Sequence, residues 1–178
     1  MKIGRILLAV TLVLSVALSA QAQPGGTLEK KAAGKAAEKA VGRDAGNRQA
    51  VMDAAAQFYR ALDAMFTGEL GPMLEVWSHA KDVTYMGPAG DFRVGWDQVL
   101  ASWKEQAAMR LGGTVRSENM HVAVGENLAV THNVEVGENV KDGQALKVSI
   151  RATNVFRKEG GKWKMIGHHT DLLPYLKP

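Results

Sequence analysis

The sequence contains no cysteine, and this absence excludes disulfide bonds, zinc–thiolate centres and thiol nucleophiles. Most of the chain also has no excess of positive or negative charge. Residues 1–50 carry 8 Lys and Arg against 3 Asp and Glu, whereas residues 51–178 carry 14 against 15. Aromatic residues make up only 6% and do not alternate with a basic stripe. The near-neutral part therefore lacks the pattern of a nucleic-acid-binding domain.

Several sequence motifs of catalysis are missing as well. The chain has no glycine-rich phosphate loop after a strand, no serine nucleophile elbow, and no helical His-x-x-x-His pair with a carboxylate cluster. We therefore expect no cofactor and no metal. What is present is 178 residues with 46% hydrophobic content, which is enough for one globular domain with an appendage.

The N-terminus has the pattern of an export signal. Lys2 and Arg5 precede the apolar run 6–20, and Ala20-Gln21-Ala22 fits the small-x-small rule for cleavage after Ala22. The alternative is an uncleaved anchor, but the run is shorter than the roughly 20 residues that span a bilayer comfortably. Residues 1–22 are thus predicted to be a signal peptide, and the mature protein to be periplasmic or secreted.

Residues 23–48 differ in composition from the rest of the chain. They are rich in Ala and Lys and almost lack large apolar side chains, so they cannot bury a core. We expect a flexible or transiently helical spacer. A polybasic arm that binds weakly to anionic lipid is the alternative, although Glu29, Glu38 and Asp44 interrupt its positive charge. Apart from an uncleaved signal, this arm is the only expected membrane contact.

Residues 49–178 are predicted to form a single domain that begins with helices. Apolar residues recur at helical spacing in 49–66, in the shorter segment 70–78 and again in 95–110. Residues 83–86 and 91–94 have the pattern of a short hairpin around Gly87-Pro88.

After Gly112-Gly113 the period changes to two, which is typical of strands. Four strands are predicted over 114–124, 128–136, 145–157 and 162–172, and turn-rich connections separate them. Helices followed by an antiparallel meander define an α+β domain, with about three N-terminal helices packed on the concave face of a curved, cone-shaped sheet.

Three polar residues stand on strand faces that are otherwise apolar. By alternation, His132 shares a face with Val130 and Val134, Asn154 with Ala152 and Phe156, and His169 with Met165. Burying such groups costs about 1–3 kcal/mol each unless they find partners. Three of them on one concave face predict a pocket, and Tyr85 is placed to join it. Each could instead be a core residue with satisfied hydrogen bonds.

Further side chains are candidates for the same pocket. We expect Tyr59, Trp77 and Trp103 to line it or to pack in the core, and Asp171 to orient His169. His169 would then serve as a general base, and His132 as an acid or a binding group.

The order of these elements resembles the nuclear transport factor 2-like superfamily, and most closely its SnoaL-like and ketosteroid-isomerase-like members. The resemblance rests on 58–64, 83–88, 151–157 and 163–170. It implies a cone-shaped α+β barrel, a pocket between sheet and helices, and frequent homodimers formed through the outer face of the sheet. The superfamily contains isomerases, dehydratases and non-catalytic binding modules, so the fold alone does not assign a reaction.

Ketosteroid isomerase uses an Asp base with an oxyanion hole of Tyr and a protonated Asp. The resemblance places the base at Gly87, which cannot accept a proton. It places the second Asp at Asn154, which can donate a hydrogen bond, and the Tyr near Phe58 or Tyr59. Three functions stay open. One is binding of a small apolar or amphipathic molecule. The second is a cofactor-independent lyase or isomerase that uses His169 and His132, with Asn154 as oxyanion donor. The third is a structural dimerisation module that displays the basic arm.

Overall fold

A computed structural model describes residues 25–141 and 143–176 of the chain. The predicted export signal, residues 1–22, lies outside the described residues. In the described part, no helix is both long enough and apolar enough to cross a membrane.

The first helix, α1, spans Gly25–Phe66 and is much longer than the predicted 49–66. Side chains in 30–46 are almost all exposed, so this stretch is helical without a buried face. The predicted apolar stripe is buried further along: Val51, Ala55, Phe58 and Met65 have no exposed surface. The amphipathic pattern thus identifies the packed half of α1, while alanine and lysine, both good helix formers, account for the rest.

The next elements follow the prediction closely. Helix α2 spans Gly71–Val76, and strands β1 (Thr84–Met86) and β2 (Arg93–Val94) form the short hairpin. Helix α3 spans Trp96–Met109.

Four long strands complete the domain. They are β3 (Thr114–Val124), β4 (Leu128–Lys141), β5 (Gln144–Glu159) and β6 (Lys162–Thr170), and a 3-10 turn follows at Pro174–Leu176. The six strands form one curved sheet in the order β2-β1-β6-β5-β4-β3. Every neighbouring pair is antiparallel except β1 with β6, which is parallel.

The core lies between α1, α3 and the inner face of the sheet. Phe58 of α1 contacts His168 of β6 at 4.8 Å between ring centroids and Trp103 of α3 at 6.3 Å. Asp63 of α1 accepts a hydrogen bond from the backbone N–H of Val115 on β3. These contacts confirm the predicted α+β fold, with helices packed on one face of the sheet.

Candidate functional site

Strand β5 turns towards the core the face that the sequence predicts to be buried. Ile150, Ala152, Asn154 and Phe156 are all buried, and Asn154 has no exposed surface. Asn154 therefore does point into the domain among apolar neighbours.

Strand β4 turns towards the core the face opposite to the one that the sequence predicts to be buried. Thr131, Asn133 and Glu135 are buried, whereas His132 is exposed. The register explains this, because Thr131 lies opposite Asn154 and residues paired across a ladder share a face. The prediction that His132 lines the interior is wrong. The leucine and valine side chains of β4, at positions 128, 130, 134 and 136, lie on the outer face, whereas the buried polar side chains of the inner face hydrogen-bond to one another and to other buried groups. Apolar content therefore indicated the wrong face.

Strand β6 changes face at a bulge. Val155 pairs with Gly167 and Phe156 pairs with Met165, which leaves Ile166 as an extra residue. A bulge of one residue reverses the alternation beyond it. His168 is consequently buried and His169 is exposed, so the prediction that His169 faces the interior is wrong.

Asp171 lies on the outside of the sheet, where Arg151 holds it. The guanidinium donates to both carboxylate oxygens at 2.9 Å, and the backbone N–H of Arg151 donates at 3.0 Å. These hydrogen bonds lower the pKa of Asp171 to about 2. Asp171 thus pairs with Arg151. The prediction that it orients an inward-facing His169 is wrong.

Six buried side chains form one hydrogen-bonded cluster on the inner face. The Tyr59 hydroxyl donates to Glu135 Oε1 at 3.2 Å and accepts from Asn133 Nδ2 at 2.8 Å. Asn154 Nδ2 donates to Thr131 and to Asn133 Oδ1, and His168 Nδ1 lies 2.6 Å from Asn154 Oδ1. Because that amide oxygen can only accept, His168 carries its proton on Nδ1 and leaves Nε2 as an acceptor. His168 Nε2 is 3.8 Å from Glu135 Oε1.

Burial keeps this cluster close to uncharged. Desolvation raises the pKa of Glu135 to about 7, against a hydrogen bond from Tyr59 that lowers it. Desolvation, with a smaller contribution from His169, lowers the pKa of His168 to about 3. The pKa of Tyr59 is raised, first by burial and then by Glu135. At neutral pH, Glu135 is thus the one member that titrates, which is the property expected of an acid–base group.

Glu135 and His168 form part of the wall of an internal cavity of about 40 Å³. Tyr85, Trp103 and Gln106 also line it, and the other walls are mainly aliphatic: Leu62, Leu111, Val115, Val148, Ile150, Leu173 and Leu176. Of the remaining predicted pocket residues, Tyr59 and Trp77 are buried but do not line this cavity, and neither does Asn154.

An outer vestibule of about 340 Å³ adjoins the cavity. Five residues line both spaces and form the partition between them: Tyr85, Pro88, Gln106, Leu111 and Leu176. On its other side the vestibule is lined by Asp91, Arg93, Glu105 and Met109, together with Ala89 and Gly90.

The position that the resemblance assigned to a catalytic base is occupied by another side chain. A Cβ placed on Gly87 would lie 2.0 Å from the Tyr85 hydroxyl. Gly87 therefore provides the space in which the Tyr85 ring turns back towards the cavity. No carboxylate could stand there without displacing Tyr85.

Three exposed histidines lie together on the outer face of the sheet. His121 pairs with His132 across β3 and β4, Thr153 follows on β5, and His169 pairs with Thr153. All three histidines line a groove of about 470 Å³. Among residues 25–141 and 143–176, no group of three or more potential ligands is arranged to hold a metal ion.

Sequence reasoning missed Glu135, His168 and Gln106. Glu135 looked like part of a solvent-facing row, and His168 was hidden by the bulge. A signal for Glu135 did exist in the predicted β4–β5 hairpin. The sequence Asp142-Gly143 is typical of a two-residue hairpin turn, which predicts that Lys141 pairs with Gln144. Counting back from that pair places Thr131 opposite Asn154, as the register of the two strands has it.

Comparison with known proteins agrees with this architecture. The sequence model of the SnoaL-like domain matches residues 50–173, which is most of the chain. The chain therefore belongs to the SnoaL-like domain family, within the nuclear transport factor 2-like superfamily. No curated protein matches it.

This chain aligns with solved structures of the same fold over nearly the whole length of those structures. A suspected dehydratase of the nuclear transport factor 2-like family from Streptomyces avermitilis is 21% identical, with a TM-score of 0.64 over 74% of this chain and 99% of that one. A nuclear transport factor 2-like superfamily protein from Salmonella enterica is 16% identical, with a TM-score of 0.63 over 71% and 91%. A suspected calcium/calmodulin-dependent protein kinase type II association domain from Thiobacillus denitrificans is 26% identical, with a TM-score of 0.58 over 67% and 92%.

Proposed function

We propose that this protein binds a small, uncharged and largely apolar molecule in the inner cavity and the adjoining vestibule. One observation carries the proposal: a buried, titratable carboxyl group, Glu135, lies in the wall of a cavity whose other walls are mainly aliphatic and aromatic. A buried carboxyl group costs stability, so its position beside a cavity is typical of a functional site.

The sizes of the two spaces limit the ligand. The inner cavity has room only for water-sized groups, so any larger part of the ligand must occupy the vestibule. An anionic ligand would place its charge beside Glu135 in a poorly solvated space, and His168 is too weakly basic to balance it. Uncharged molecules are therefore favoured.

A fluorinated aryl ketone is a suitable first probe of binding. We expect 4-fluoroacetophenone to show broadened 19F signals with the protein and to raise its thermal unfolding temperature. Ile150→Phe adds volume to the cavity wall and should abolish both effects, whereas Val155→Phe places similar volume on the outer face and should not. Binding that survives Ile150→Phe and is lost in Val155→Phe would contradict the proposal.

A second candidate function is proton abstraction next to a carbonyl group, with Glu135 in the role first assigned to His169 and His132. The raised pKa of Glu135 favours it, because a base with a pKa near 7 is matched to work at neutral pH. The likeness to a suspected dehydratase is compatible with such chemistry.

Deuterium exchange separates the two functions. A catalytic protein should exchange the methyl protons of acetophenone for deuterium in D₂O faster than buffer does, with a rate that rises with pH through about 7 as Glu135 ionises. Glu135→Gln should abolish the exchange while the ketone still binds. Binding without exchange in the unmodified protein would leave the binding function and exclude this proton abstraction.

We further propose export to the periplasm or the medium, on the strength of the signal-like sequence 1–22. N-terminal sequencing of protein recovered from the cell envelope or medium should give Gln23 as the first residue. An intact N-terminus on protein retained in the cytoplasm would contradict export.

A further inference from the structure

Most polar groups near the cavity already have partners. The Tyr59 hydroxyl donates to Glu135, and both amide protons of Asn154 are used, one by Thr131 and one by Asn133. The two groups that the family resemblance offered as oxyanion donors, Tyr59 and Asn154, are therefore not free to bind a ligand.

Tyr85 is different, because a hydrogen-bond chain from the surface fixes the direction of its hydroxyl. The Asp91 carboxylate can only accept, so Ser102 Oγ donates to it at 3.3 Å. Gln106 Nε2 then donates to Ser102 Oγ at 3.4 Å and to the Tyr85 hydroxyl at 2.9 Å. Tyr85 thus accepts a hydrogen bond, and its own O–H has no acceptor in the described part of the chain.

Trp103 supplies a second unused donor. Its indole N–H is buried and has no hydrogen-bond partner among the described residues. Its ring contacts that of Tyr85, with centroids 4.6 Å apart, and both residues line the inner cavity. Both are almost completely buried, at 2% and 1% exposed, so bulk solvent does not supply the missing acceptors.

We propose that the Tyr85 hydroxyl and the Trp103 indole N–H together bind one uncharged oxygen acceptor of the ligand, such as a ketone or aldehyde carbonyl. The inference rests on the proposed binding function and adds a ligand class to it. Two neutral donors suit a carbonyl oxygen, and they would also stabilise negative charge that develops on it. Glu135 lines the same cavity and is the available base.

The carbonyl stretching frequency of bound acetophenone tests this assignment directly. A donated hydrogen bond lowers that frequency, so we expect it to fall when the ketone binds the unmodified protein. Tyr85→Phe should largely reverse this shift and weaken binding about three- to tenfold, the usual effect of one hydrogen bond. Tyr175→Phe is the matched control, because the Tyr175 hydroxyl donates to Asn139 and the residue does not line the cavity.

The outcomes distinguish this inference from the function on which it rests. If the unmodified protein does not bind the ketone, both are overturned. If the ketone binds and its frequency is the same in Tyr85→Phe and the unmodified protein, only the carbonyl assignment fails. Should Tyr85→Phe not fold, Trp103→Phe provides the second arm: part of the shift should be lost, and an unchanged shift would contradict the assignment.

Discussion

At the scale of single residues, Glu135 makes the stability of the fold depend on pH. Its pKa is raised from 4.5 to about 7 by burial, so between these values the folded protein holds a proton that the unfolded chain has released. Stability from this group is complete below pH 4.5 and is lost as pH rises to about 7. The loss amounts to about 3 kcal/mol. Glu135→Gln removes this dependence and should become more stable than the unmodified protein above pH 7.

His168 has the opposite effect and must be separated in the measurement. Its pKa is lowered from 6.5 to about 3, so its contribution is present above pH 6.5 and is lost as pH falls. Urea unfolding of both proteins at several pH values from 4.5 to 8 isolates Glu135, because His168 contributes to both curves. A difference in unfolding free energy that stays constant across this range would contradict the prediction.

Gly87 is the residue on which the shape of the inner cavity depends. An added Cβ would lie 2.0 Å from the Tyr85 hydroxyl and 2.3 Å from its Cζ, so Gly87→Ala must displace the ring and break its hydrogen bond with Gln106. Overpacking of this kind usually costs about 1–3 kcal/mol. Thermal unfolding should show a clear loss for Gly87→Ala. Gly46→Ala is the control: it meets nothing within 4 Å in the exposed part of α1 and should be neutral or slightly stabilising.

At the scale of elements, the bulge in β6 decides which of two adjacent histidines belongs to the core. His168 is 5% exposed and is hydrogen-bonded to Asn154, whereas His169 is on the outer face. His168→Ala should lower the unfolding free energy by about 2–4 kcal/mol, because it opens a cavity and leaves the buried Asn154 oxygen without a donor. His169→Ala should stay within about 0.5 kcal/mol of the unmodified protein. Urea unfolding gives the unfolding free energies of the two variants. Equal losses of unfolding free energy would contradict the assignment of His168, rather than His169, to the core.

The same elements show what the sequence can and cannot predict. Periodicity located the packed helices and the long strands, because the pattern of apolar residues follows directly from which face is buried. It oriented β4 wrongly, because the valines of this strand lie on the outer face while the inner face is mostly polar. It also could not detect the extra residue Ile166, which has no distinctive side chain. The length of the β4–β5 turn carried better information about β4 than hydrophobicity did, since it sets the register in which Asn154 meets Thr131.

At the scale of the whole molecule, the outer face of the sheet is the surface on which we propose that two copies associate. Val130, Val134 and Ile166 are half-buried there, and Leu128 is 55% exposed. This face also carries the groove with the three histidines.

A single charge on this face should dissociate the pair. Val134→Lys costs little in a monomer, where the ammonium group stays in water, but in a dimer it buries an unpaired charge. Sedimentation equilibrium should give twice the chain mass for the unmodified protein and one chain mass for Val134→Lys. Val94→Lys, the same substitution at a 44% exposed position on β2, should remain dimeric. Dissociation by both variants would point to a different interface, and a monomeric unmodified protein would contradict the association itself.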